Sequence, residues 1–147
     1  MPKVIISDTS CFITLSGAGE LDLLHKVYGQ IYTTTEVAEP LPDWVQIENV
    51  QDKSKQLLLE MQIDKGESSA IALSLETENS IVILDDYKAR KIADKLGLIY
   101  TGTVGVIIKA KLKGIIPSIK PLMEKIKENG FHLTTEIEII AFKEAQE

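Results

Sequence analysis

IVILDDYKAR, residues 81–90, runs from four apolar residues into two carboxylates and then into a pattern of a different period. A continuous apolar run bounded by polar residues reads as a strand covered on both faces, the mark of a parallel sheet. Beyond the carboxylates, Ala89, Ile92, Ala93 and Leu96 recur at helical spacing, so a helix is expected over 86–96, with Gly97 ending it. The same sentence is written near the start of the chain. VIISDTSCF, residues 4–12, carries an apolar run into Asp8, Thr9 and Ser10 and then into Phe12, Ile13 and Leu15. Twice, a carboxylate sits where a buried strand gives way to a helix.

The neighbouring segments alternate in the same way. Strands are expected over 3–7, 30–33, 44–50, 80–84 and 98–100. Helices are expected after residue 9, over 21–27, 34–39, 52–62, 64–78, 86–96, 103–112 and 117–128, and from 134 onward. Gly29, Gly114 and Gly130 end helices, and Pro40 and Pro42 stop the short one. Strands alternating with helices define an α/β fold: a three-layer arrangement with a central, mostly parallel sheet flanked by helices. In such sheets ligands bind outside the carboxyl ends of the strands. Asp8, Asp85 and Asp86 fall at that edge; Glu67 opens the helix that precedes a strand.

The chain has 147 residues, which suits a single domain over 1–147 with a core of its own. Cys11 is the one cysteine, so a disulfide scaffold is excluded and a reducing, cytoplasmic setting is expected. No signal peptide and no membrane-spanning run is expected. The net charge of −6 argues by itself against a polyanionic partner, but its distribution argues the other way. Residues 86–127 hold ten basic residues against three acidic ones. They form a cationic stretch on an acidic body, either a nucleic-acid surface or ordinary solvated helix faces.

Two carboxylates about 4 Å apart repel by roughly 4 kcal/mol at an effective dielectric of 20. If Asp8, Glu67, Asp85 and Asp86 converge, they therefore need shifted pKa values or a bound cation. An all-oxygen set without companion His or Cys suits Mg²⁺ or Mn²⁺ rather than zinc, and His25 and His132 have no metal-ligand spacing. Each acid also has a structural reading. Asp8 and Asp85 are N-cap candidates, Asp64 and Glu67 have the spacing of a capping box, and Asp86 stands at i,i+4 from Arg90. Other chemistries fail on the residues: GAG at 17–19 lacks a dinucleotide-site context, there is no Walker A lysine, and DTS lacks the second acid of a dehalogenase-type phosphatase.

The order of these segments resembles the PIN-domain family, most closely a VapC-related PIN-like branch. VIISDTS (4–10), GESSAIALSLE (66–76), VILDDYKARKIADKLGL (82–98) and YTGTVGVIIKAKLKGII (100–116) carry the resemblance across nearly the whole chain. It implies a metal-dependent ribonuclease fold, often the toxin of a toxin–antitoxin pair, with RNA, an antitoxin protein and a second copy of the chain as partners. By position, Asp8 matches the family's first acid, Glu67 its helix-opening acid and Asp86 its last, with Asp85 beside it; these four would hold Mg²⁺ or Mn²⁺. Thr9, Ser10 and Thr103 would bond the acids or phosphate, and Lys88, Arg90, Lys109 and Lys113 would track the RNA backbone. One position departs. The family places an acid where Pro40 stands, after Val37-Ala38-Glu39. Direction around a helix favours Glu36 as the replacement and reach along its axis favours Glu39, which is taken as the catalytic stand-in. That departure also motivates a second expectation, a catalytically weak nucleic-acid or protein-binding module. A metal-dependent phosphatase acting on small substrates is a third.

Overall fold

The computed structural model describes residues 3–36 and 40–147. Five short strands, β1 (Val4–Ser7), β2 (Ile31–Thr33), β3 (Val45–Ile47), β4 (Ser80–Ile83) and β5 (Ile99–Thr101), form one sheet in the order β3-β2-β1-β4-β5. Every neighbouring pair is parallel. The expected strands are all present, and the sheet is wholly rather than mostly parallel.

Parallel pairing requires a crossover between strands, and among the described residues helices lie in every crossover except that from β2 to β3; three more helices follow β5. The helices are α1 (Thr9–Gly17), α2 (Asp22–Tyr28), α3 (Lys53–Glu60), α4 (Lys65–Glu76), α5 (Tyr87–Lys95), α6 (Thr103–Leu112), α7 (Lys120–Glu128) and α8 (Thr135–Glu144). The helix expected over 34–39 is absent at 34–36, where Thr35 and Glu36 form a turn; 37–39 lie outside the described residues. Pro40 gives a reason, since it has no amide to donate to the carbonyl four residues earlier.

Alternation along the strands divides the interior in two. Ile5 and Ile83 point into a core built with Phe12, Leu24, Ile107, Met123 and Ile126 from α1, α2, α6 and α7. Ile6, Val82 and Leu84 point the other way, against Leu59, Ile71, Ala72, Ala89 and Ala93 from α3, α4 and α5. A strand buried on both sides must be apolar at every position, which is why residues 4–6 and 81–84 read as unbroken runs. Cys11 is fully buried in the first core. Among the described residues no helix is long and apolar enough to cross a membrane.

The strand order fixes where a ligand can sit. The chain moves outward from β1 through β2 to β3, then returns to the other side of β1 as β4. The topological switch point therefore lies between the carboxyl ends of β1 and β4, where Ser7 is in register with Ile83.

Candidate active site

Asp8 leaves β1 at this switch point. Its amide donates to the Ile83 carbonyl, 3.3 Å away, which pins it beside the end of β4. It occupies the N-cap position of α1 but its side chain makes no capping bond. The one capping-type interaction is with the Cys11 amide in the first turn of α1, short of a formed capping bond. Asp8 is 2 % exposed, and its Oδ1 has no hydrogen-bond partner among the described residues. Burial, then the charges of Asp85 and Glu67, hold its pKa well above the usual carboxylate value. The Cys11 amide acts weakly against them.

Asp85 follows β4 and is held by three bonds. Its Oδ1 accepts from the Thr103 amide at 2.7 Å, and its Oδ2 accepts from the Thr103 hydroxyl at 2.6 Å and the Ser10 hydroxyl at 2.9 Å. This clamp joins the start of α1, the end of β4 and the start of α6. Gly102 is part of it: a Cβ there would lie 2.8 Å from Asp85 Oδ1, so only glycine lets the chain pass. The sequence left Ser10 and Thr103 open between the acids and phosphate; in the fold both hydroxyls donate to Asp85.

Asp86 is different. Its Oδ2 accepts from the Ala89 amide at 3.0 Å and caps α5, and the residue is exposed. The structural reading of a cap at this strand end thus holds, on Asp86 rather than Asp85. No ion pair joins Asp86 to Arg90 among the described residues. Asp86 keeps an electrostatic link to the cluster, because its charge contributes to the raised pKa of Glu67.

Glu67 opens α4 in the capping box that its spacing suggested. Its amide donates to Asp64 Oδ1 at 2.7 Å, and its Oε1 accepts from the Asp64 amide at 3.4 Å. Desolvation, then Asp64 and Asp86, raise its pKa from 4.5 to about 7. Gly66 brings this helix start close to α1, since a Cβ there would lie 3.3 Å from Thr9 Oγ1.

Asp8, Thr9, Glu36, Asp64, Lys65 and Glu67 share the walls of one cleft of about 410 Å³. Glu36 reaches it from the turn after β2 and lies 4.0 Å from Lys65 Nζ. Glu39 lies outside the described residues. Asp64 and Lys65 were not singled out by the sequence, although the capping-box spacing that ties Asp64 to Glu67 was the signal for them. Among the described residues no three of His, Cys, Asp and Glu stand close enough to hold an ion as they are.

The basic candidates divide. Lys88 and Arg90 lie on α5, whose first turn adjoins the acids. Arg90 stacks over Tyr100 at 5.0 Å. Lys109 and Lys113 lie about 9 and 15 Å along α6 from its start at the acidic edge. Lys109 packs its ammonium over Tyr28 at 4.9 Å, and Lys113 donates to the Val27 carbonyl at 2.8 Å. These two lysines tie α6 to the end of α2, and the fold does not bring them to the cleft.

A group whose pKa rises on folding makes stability depend on pH with a defined sign. Between pH 4.5 and about 7 folded Glu67 holds a proton that the unfolded chain has released, so its contribution to stability is lost as pH rises through that window. The metal-free melting temperature is expected to fall more steeply from pH 5 to 7.5 in the wild type than in Glu67→Gln. Equal slopes in a thermal melt would remove Glu67 from the cluster.

A wholly parallel sheet with carboxylates near its switch point puts the candidate site where α/β folds bind their ligands. A family model described as a PIN domain matches residues 4–147, and the chain belongs to the PIN-domain family. Neither the curated proteins nor the solved structures offer a significant match.

Proposed function

We propose that this protein is a divalent-metal-dependent ribonuclease that hydrolyses RNA phosphodiester bonds at the carboxylate cleft. The observation that carries this reading is Asp8, a buried carboxylate with no formed capping bond and an unpartnered oxygen, close to the charges of other acids. A buried charge without a partner is costly, and a cation or a proton relieves it. The donor set is all oxygen, which fits Mg²⁺ or Mn²⁺. Asp8, Glu67, Asp85 and Asp86 would hold the ion, with side-chain rotation drawing them together and Glu36 or Glu39 adding a further carboxylate. A bound ion of this kind supplies an activated water and stabilises charge on the phosphate.

The remaining work falls to the chain itself. Ser10 and Thr103 fix the orientation of Asp85, so that one acid is placed before substrate arrives. Thr9 lines the cleft at hydrogen-bond reach for a phosphate oxygen or for an acid beside it. Lys65, Lys88 and Arg90 offset the repulsion between the acids and the RNA backbone. In the same reading the chain is the toxin of a toxin–antitoxin pair and meets an antitoxin protein and a second copy of itself. Exposed Leu57, Leu58 and Met61 around α3 support a protein contact.

The test is incubation of end-labelled single-stranded RNA of random sequence with the full chain, with Mn²⁺ and with EDTA. Cleavage is expected only with the metal. RNA binding without cleavage in either Mn²⁺ or Mg²⁺ would favour the binding module that the Pro40 departure suggests. Release of phosphate from small phosphate esters alone would favour a phosphatase.

A further inference from the structure

A second cleft, of about 340 Å³, has Asp85 in its wall, and Asp85 accepts a hydrogen bond at 2.9 Å from Ser10, which lines the acidic cleft. Its volume falls in the range of sites that hold small organic molecules. Most of its wall lies apart from the acids. Phe131 and Ile140 contribute apolar surface, and Arg90, Tyr100 and Glu144 contribute polar groups from α5, β5 and α8.

Arg90 is the unusual member. Its Nε is buried without a hydrogen-bond partner, and its guanidinium makes no hydrogen bond or ion pair with any described residue. A guanidinium has five N–H donors and no acceptor, so a partly buried one normally faces carboxylates or carbonyls. Asp85 lines the same cleft, but its three hydrogen bonds go to Thr103 and Ser10 and none to Arg90. Its Cζ lies 5.0 Å from the centre of the Tyr100 ring, a contact that uses none of the N–H donors.

From these observations we propose that the second cleft is a nucleobase subsite that prefers guanine next to the scissile phosphate. The proposal rests on RNA being the substrate of the neighbouring cleft. The edge of an arginine matches the paired acceptors O6 and N7 of guanine. The Glu144 carboxylate matches the N1 and N2 donors that guanine alone presents. Phe131 and Ile140 offer the flat apolar contact on which a single-stranded base stacks. The Ser10–Asp85 bond joins the walls of the two clefts, so such a base would sit one residue contact from the acids.

The experiment is a ¹H–¹⁵N NMR titration of the full chain, in EDTA, with each of the four nucleoside 5′-monophosphates. Guanosine monophosphate is expected to shift the amides of Gly102, Gly105 and Phe131 and to bind at least tenfold more tightly than the cytidine and uridine nucleotides. Glu144→Gln, on an exposed residue, is expected to erase that preference without altering the melting temperature, and Arg90→Lys to weaken guanosine monophosphate binding. Four nucleotides binding alike, or shifts confined to the Asp8 cleft, would overturn the proposal. A cleft that ignores every nucleotide would also overturn it and leave the apolar wall to a protein partner. Guanine binding without RNA cleavage supports the subsite while the ribonuclease reading fails. Cleavage indifferent to neighbouring guanines does the reverse.

Discussion

Asp8→Asn is expected to lower Mn²⁺-dependent RNA cleavage by roughly a thousandfold, since a catalytic ion supplies several kcal/mol at about 1.4 kcal/mol per tenfold in rate. The substitution preserves shape and removes one charge. Because the Asp8 side chain makes no formed capping bond, and an asparagine oxygen can still face the Cys11 amide, the fold loses no bond that holds α1 in place. It also removes a buried like charge from beside Asp85 and Glu67. The metal-free variant should therefore melt at or above the wild-type temperature, while losing the stabilisation that Mn²⁺ gives the wild type by mass action. Two readouts that move in opposite directions are what separate a functional carboxylate from a structural one. A variant that loses cleavage and also melts far lower in EDTA would make Asp8 a structural residue. An unchanged response to Mn²⁺ would show that the ion, if bound, sits elsewhere.

The sheet was legible because burial on both faces leaves a plain signature. Residues 4–6 and 81–84 must be apolar throughout when alternate side chains enter different cores, as Ile5 and Ile6 do. The helix start at Asp64 was legible because a capping box is a local pattern with fixed spacing. The roles of Asp85 and Asp86 were not. Two adjacent acids at a strand end look alike in sequence, yet one turns inward to meet Thr103, 18 residues away, and the other caps the helix ahead. That choice is made by tertiary hydrogen bonds, with no periodicity to betray it. The lysines of α6 were misleading for a related reason. A cationic run records composition, whereas the distance from the acidic edge depends on how far along the helix each residue lies. Lys113 donates to Val27, 86 residues away, a contact no local pattern announces.

Glu36→Gln is expected to lower Mn²⁺-dependent cleavage by roughly 10- to 100-fold, the scale of losing one supporting group around a metal. Helical geometry alone left Glu36 and Glu39 close competitors, with reach favouring Glu39. That argument assumed a helix through both. The chain instead turns at 35–36, so angles around a helix axis no longer decide the matter. Glu36 lines the cleft with Asp8 and Glu67, and its side chain is only 27 % exposed. Its neighbour Lys65, 4.0 Å away, complicates a simple reading, because removing Glu36 also frees a lysine. Lys65→Gln is therefore the necessary companion. If Glu36 serves only to hold Lys65, both variants should lose similar activity and the double variant no more than either. If Glu36 acts as a carboxylate of the site, its loss should exceed that of Lys65→Gln, and higher Mn²⁺ should restore part of the rate. A large loss in Glu39→Gln alone would return the role to Glu39. Normal cleavage in both glutamine variants, with Asp8→Asn inactive, would mean that the acids at β1, α4 and the end of β4 suffice and that Pro40 replaced an acid this site does not need.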